Sequence, residues 1–93
     1  MKLPIDYRTA TWQERKKARE QYVKLQENKC YYCGGVLSET PPEKIKSKKI
    51  NWKLFPPNFL KYPIHLHHSH DTGKTIGAVH ALCNAVLWQY EGE

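Results

Sequence analysis

The sequence predicts a small α+β domain that needs a metal ion to hold it together. Residues 62–68 alternate as a half-buried strand does, with Ile64 and Leu66 on one face and His65 and His67 on the other. Residues 81–90 contain no breaker and are rich in apolar side chains (Leu82, Ala85, Val86, Leu87, Trp88), as a buried helix is. Cys30-x2-Cys33 and His80-x2-Cys83 use every cysteine in the chain. Together they offer the four donors of a tetrahedral zinc site.

The totals agree with this class. Ninety-three residues make one domain at most. A chain of that size buries only about 60–65% of its unfolded surface, so it usually needs a disulfide, a metal or a partner. A composition of 40% hydrophobic and 26% charged residues argues against full disorder. Three cysteines argue against a pure disulfide framework. No apolar run approaches the ~20 residues of a membrane span. The opening Met1-Lys2-Leu3-Pro4-Ile5-Asp6 lacks the apolar core of a secretory signal. A reducing, cytoplasmic setting is expected, where paired cysteines more often hold a metal than a disulfide. The net charge of +6 favours a polyanionic partner, because phosphate neutralisation drives non-specific nucleic-acid binding.

In chain order, residues 1–10 read as an arm. Thr11-Trp12-Gln13-Glu14 fits a capping box that opens a basic helix over 11–28. Trp12, Ala18, Tyr22 and Leu25 can share one apolar stripe. Arg15, Lys16, Lys17, Arg19 and Lys24 occupy the rest, either as a solvated face or as a phosphate-contacting one. Residues 30–35 form a tight turn whose paired glycines allow positive φ after Cys33. Residues 36–61 read as an irregular insertion, broken by Pro41-Pro42 and Pro56-Pro57. Its stretch Lys44–Lys53 carries five lysines and no acid. That stretch is either a mobile solvated loop or an insertion gripping a nucleic-acid backbone, with Lys46, Lys48, Lys49 and Lys53 on phosphates and Trp52 on a sugar or base. Residues 62–91 give a strand, a turn at Asp71–Lys74, an antiparallel strand at Thr75–His80 and the final helix. There are no repeats and no heptads, so monomer and homodimer both stay open.

A Cys₃His site has no exchangeable position and would be structural rather than catalytic. The competing reading is core cysteines beside a satisfied histidine. The 34–79 separation means the ion would clamp distant parts of the chain.

His65, His67, His68 and His70 fall within six residues. Imidazole binds metals and is the commonest general base. His67 and His68 point to opposite faces of a strand unless it ends there, and the turn-like Ser69–Gly73 lets both rings converge. A surface metal-trapping tract is the bland alternative.

His67-His68-Ser69-His70-Asp71-Thr72-Gly73, followed by Gly77-Ala78-Val79-His80-Ala81-Leu82-Cys83-Asn84, resembles the HNH nucleases, closest to the phage recombination endonuclease VII branch. The likeness covers Cys30–Cys33 and Leu66 to about Tyr90, under half of the chain. It implies a ββα-metal core. By position it makes His67 and Asn84 the ligands of one catalytic divalent cation and His68 the general base that deprotonates water. His70 matches a histidine that touches the scissile phosphate. The branch has Asp where this chain has His67; a His-His pair occurs in the colicin-type DNases. The change makes the site softer and opens it to Mn²⁺ or another transition metal beside Mg²⁺. The resemblance implies a one-metal DNA endonuclease from a bacterial or phage-infected cell. His68 must be neutral to act, so the rate should rise through its pKa and fall in acid. The alternative is a non-enzymatic, zinc-stabilised module that binds nucleic acid.

Overall fold

Thr11 opens the first helix through a complete capping box in the computed structural model, which describes residues 1–92. The Glu14 amide donates to Thr11 Oγ1 (3.2 Å) and the Thr11 amide to Glu14 Oε1 (2.8 Å). The helix, α1, spans Trp12–Leu25. It ends where Glu27 and Asn28 take positive φ of 54° and 60°.

The stripe that α1 buries differs from the expected one. Trp12 and Leu25 are exposed, at 69% and 68%. The inward positions are Arg15, Ala18, Arg19, Tyr22, Val23 and Gln26, spaced i, i+3, i+4, i+7, i+8 and i+11. Apolar counting passed over this face because half of it is polar. Tyr22 and Gln26 find polar partners at Thr75 and Ala78. Gln26 Nε2 donates to the Ala78 carbonyl (2.9 Å), and Gln26 Oε1 accepts from the Ala78 amide (2.9 Å). Tyr22 Oη meets Thr75 Oγ1 at 2.9 Å.

The sheet is one antiparallel pair, β1 (Ile64–His68) and β2 (Thr75–His80). Its register runs from Ile64 opposite His80 to His68 opposite Thr75, with an irregularity between His67 and His68. That slip is what lets two successive side chains face one cleft, where a regular strand would send them to opposite sides. Gly77, opposite His67, sits under α1; a Cβ there would lie 2.8 Å from Gln26 Oε1. It would also meet Tyr31 Cβ and Cγ at 3.1 Å, so any side chain at position 77 would force these neighbours to shift.

β2 runs directly into α3 (Ala81–Glu91). The helix buries Ala81, Cys83, Ala85, Val86 and Leu87. With Leu37, Ile45, Ala78 and Val79 these close the core. The described part of the chain is therefore a small α+β protein, with a two-stranded sheet and three helices.

The first ten residues are not a free arm. The Ile5 amide donates to Thr75 Oγ1 and the Thr75 amide to the Ile5 carbonyl, both at 3.0 Å. Asp6 bridges to Lys74 as a further strand contact.

The 36–61 insertion is irregular apart from a four-residue helix, α2 (Glu43–Lys46), and a 3-10 turn at Trp52–Leu54. Its lysine stretch is anchored at both ends. Ile45 is buried in the core, while the Lys49 carbonyl accepts from Tyr90 Oη (2.6 Å) and Gln89 Nε2 (3.1 Å). Among the described residues, no helix is long and apolar enough to cross a membrane.

Candidate functional site

Cys30, Cys33, His80 and Cys83 converge, with their ligand atoms all within 4.8 Å of one another. His80 Nδ1 lies 3.4 Å from Cys33 Sγ and 3.6 Å from Cys83 Sγ. A tetrahedral zinc ion, with bonds of about 2.3 Å to sulfur and 2.05 Å to nitrogen, puts such a pair about 3.5 Å apart. The ring is oriented from outside: His80 Nε2–H donates to the Val36 carbonyl at 2.9 Å and leaves Nδ1 for a metal. The Gly35 amide points at Cys33 Sγ (3.4 Å), as a donor to a thiolate does. Gly34 takes the left-handed turn (φ 75°) that brings this amide round. Cys30, His80 and Cys83 are buried. A hydrogen bond from Cys83 pulls the Cys30 thiol well below its usual range, while the same contact pushes Cys83 up. The group could hold a zinc ion.

The second cluster lies on the other side of β1. His67 Nδ1 donates to Asn84 Oδ1 at 3.1 Å, and Asn84 Nδ2 donates to His65 Nδ1 at 3.2 Å. A strand places residues two apart on one face, so His65 and His67 both meet the helix position Asn84. With the His67 proton on Nε2 instead, the 3.1 Å separation would suit two neighbouring ligands of one octahedral cation, which lie about 3 Å apart for bonds of about 2.1 Å.

His68 is half-buried. Its imidazole lies flat on Tyr7 (3.9 Å between centroids) and is tilted toward His70 (5.2 Å). Burial, then the nearby charges of His70 and His67, pulls its pKa down to about 4, against a weaker pull from the Leu66 backbone. His68 is therefore neutral at and well below neutral pH. His70 is exposed, edge-on to Trp88, and its carbonyl accepts from Arg8.

His65, His67, His68, His70 and Asn84 line one cleft of about 880 Å³, within the size range of ligand pockets. Its opposite wall is α1, through Arg15, Lys16 and Arg19. The cleft's aromatic side is built from Phe55, Phe59 and Trp88. Phe55 packs on Phe59 (4.7 Å) and Trp88 (5.5 Å).

The expected contacts on the basic side divide. Arg15 is committed within the protein: its Nε and Nη2 donate to the Tyr7 carbonyl (2.9 and 2.6 Å), and its guanidinium lies 4.0 Å above the Tyr7 ring. Lys16 is exposed at the cleft and Arg19 is half-buried there. Lys46, Lys48, Lys49, Trp52 and Lys53 are not among the residues that line the cleft. Lys46 pairs with Glu43 (3.6 Å), Lys48 lies over Tyr90 (4.9 Å), and Trp52 touches Phe55 (5.7 Å) behind the aromatic wall.

Sequence reading missed Tyr7 and left His65 without a role. Nothing local marks Tyr7, which reaches the site only because residues 5–7 pair with the hairpin. His65 had a signal: it stands two residues before His67, on the same strand face.

No known family model, curated protein or solved structure matches the chain.

Proposed function

We propose that this chain is a metal-dependent DNA endonuclease with an HNH-type ββα-metal core stapled by structural zinc. One observation carries the reading. His67 and Asn84, from a strand and the helix after its hairpin, lie in hydrogen-bond contact in a cleft that also contains a neutral His68 and a basic wall.

His67 and Asn84 would hold a divalent cation, which would supply positive charge to offset what builds on the scissile phosphate and leaving oxygen. His68 is the general base. Its imidazole takes a proton from water as the water oxygen bonds to phosphorus and the bond to the 3′ oxygen breaks. Tyr7 holds the His68 ring by its face, and Arg15 holds Tyr7 from the other side. Lys16 and Arg19 face the strand being cut and neutralise its phosphates. His70 is exposed beside His68 and is available to the scissile phosphate.

The zinc group stands across the sheet, bound to β2 and α3 through His80 and Cys83. Its role is to fix the strand-to-helix junction that aims Asn84, one residue beyond Cys83, and it takes no part in the reaction.

The reading is tested by cleavage of supercoiled plasmid that requires both an added divalent cation and His68. The second reading, a zinc-stabilised module that only binds nucleic acid, draws on the basic Lys44–Lys53 stretch lying outside the cleft. It predicts plasmid binding without cutting.

A further inference from the structure

The Asn84 side chain has two ends of nearly equal shape but opposite chemistry. Its Oδ1 can ligate a cation and its Nδ2 cannot. Which end faces His67 is decided by what surrounds the amide. On one side is His67, at 3.1 Å from Oδ1; on the other is His65, whose Nδ1 is 3.2 Å from Nδ2.

His65 is not neutral in this choice. Its Nδ1 faces Asn84 Nδ2 at 3.2 Å, and an amide NH₂ can only donate, so Nδ1 is the acceptor of that contact. Phe59 packs edge-on against the ring at 4.7 Å and fixes its plane. In a neutral ring that accepts at Nδ1, the proton sits on Nε2 and Nδ1 is a bare lone pair. A bare nitrogen accepts from an amide NH₂ and repels an amide oxygen, so the Asn84 NH₂ turns to His65 and the oxygen turns to His67.

Resting on the reading of His67 and Asn84 as cation ligands, we infer that His65 is a positioning residue: by accepting from Asn84 Nδ2 it orients the amide so that Oδ1 faces the cation position. It acts through Asn84 and touches neither cation nor substrate.

Asn84→Asp supplies the decisive control. A carboxylate carries oxygen at both ends, so its orientation no longer matters and His65 becomes dispensable for ligation. The measurement is Mn²⁺ binding by the full chain, read from the electron paramagnetic resonance signal of free Mn²⁺ with no DNA present. His65→Phe keeps a ring against Phe59 and removes the acceptor. It is expected to weaken Mn²⁺ binding by about tenfold, the lower end of what losing an outer-shell partner costs. His65→Gln keeps an acceptor and is expected to stay within about threefold of the unmodified chain. In the Asn84→Asp background, adding His65→Phe should not weaken binding further.

Three results overturn the inference. His65→Phe binds Mn²⁺ as tightly as the unmodified chain; or its loss persists undiminished beside Asn84→Asp, which marks a merely structural effect; or the unmodified chain binds no Mn²⁺. The nuclease reading fails separately. A chain that follows the expected Mn²⁺ pattern but cuts no DNA keeps this role for His65 and loses the endonuclease. A chain that cuts DNA while His65→Phe leaves Mn²⁺ binding unchanged does the reverse.

Discussion

The ring of Tyr7 lies on the imidazole of His68, with centroids 3.9 Å apart and planes within 4° of parallel. Arg15 covers the other face of Tyr7. The three side chains form a stack that ties the N-terminal segment, α1 and the end of β1 to one point. A general base is useful only when its nitrogen is held at the right place, and small misplacements cost large factors in rate. Tyr7→Phe keeps the stacked ring and should cut plasmid within about twofold of the unmodified rate. Tyr7→Ala frees the imidazole and should slow single-turnover cutting by about tenfold or more. Equal rates for the two variants would remove Tyr7 from the site.

The depressed pKa of His68 sets the pH dependence. Below about 4 the ring is protonated and cannot act as base; above it the ring is neutral. A cation at His67 pushes the same way. Cutting at saturating metal should therefore stay level from pH 8 down to about 5 and fall only as pH approaches about 4. The sign for stability is also determined. The folded pKa lies below the unfolded value of about 6.5, so the unfolded chain binds the extra proton between them. Stability should fall as pH drops from about 6.5 toward 4. An acid limb of the rate centred near 6.5 would contradict the buried, stacked His68.

Zinc should be inseparable from folding. Structural zinc contributes about 10–16 kcal/mol in small zinc domains, against total stabilities of about 5–15 kcal/mol for ordinary domains. Cys83→Ser should abolish cooperative thermal unfolding and bound zinc together, measured by calorimetry and metal analysis. His68→Ala should leave both intact. A well-folded, zinc-free Cys83→Ser protein would refute the staple.

The two basic regions should separate in salt dependence. Lys16 is exposed at the cleft, so Lys16→Ala should weaken DNA binding evenly across sequences. It should also flatten the plot of log affinity against log salt by about one unit of slope. Lys48 lies over Tyr90 away from the cleft, and Lys48→Ala should leave that slope unchanged. The reverse pattern would move the DNA path to the lysine stretch.

Much of this layout was legible in the residues. The capping box at Thr11, β2 at Thr75–His80 and the start of α3 at Ala81 fall where sequence pattern puts them, because each carries a strong local signal. The Cys₃His group was legible because zinc demands few residue types at short spacing. The inner face of α1 was not. Arg15 and Gln26 face inward because the Tyr7 carbonyl and the Ala78 backbone satisfy their polar groups, and periodicity counts them as surface. Tyr7 was hidden for the same reason: its place comes from backbone pairing with the hairpin, such as its amide on the Gly73 carbonyl (2.8 Å). The convergence of His67 and His68 depends on a slip in strand register, which alternation alone does not reveal.

The most direct measurement is plasmid cleavage with and without Mg²⁺, Mn²⁺, Co²⁺ and Ni²⁺, comparing the unmodified chain with His68→Ala. The expected result is relaxed or linear product that requires the cation and is lost in the variant, while its zinc content and melting temperature are unchanged. Plasmid that is bound but left uncut under every metal, or cut equally well by His68→Ala, would contradict the account.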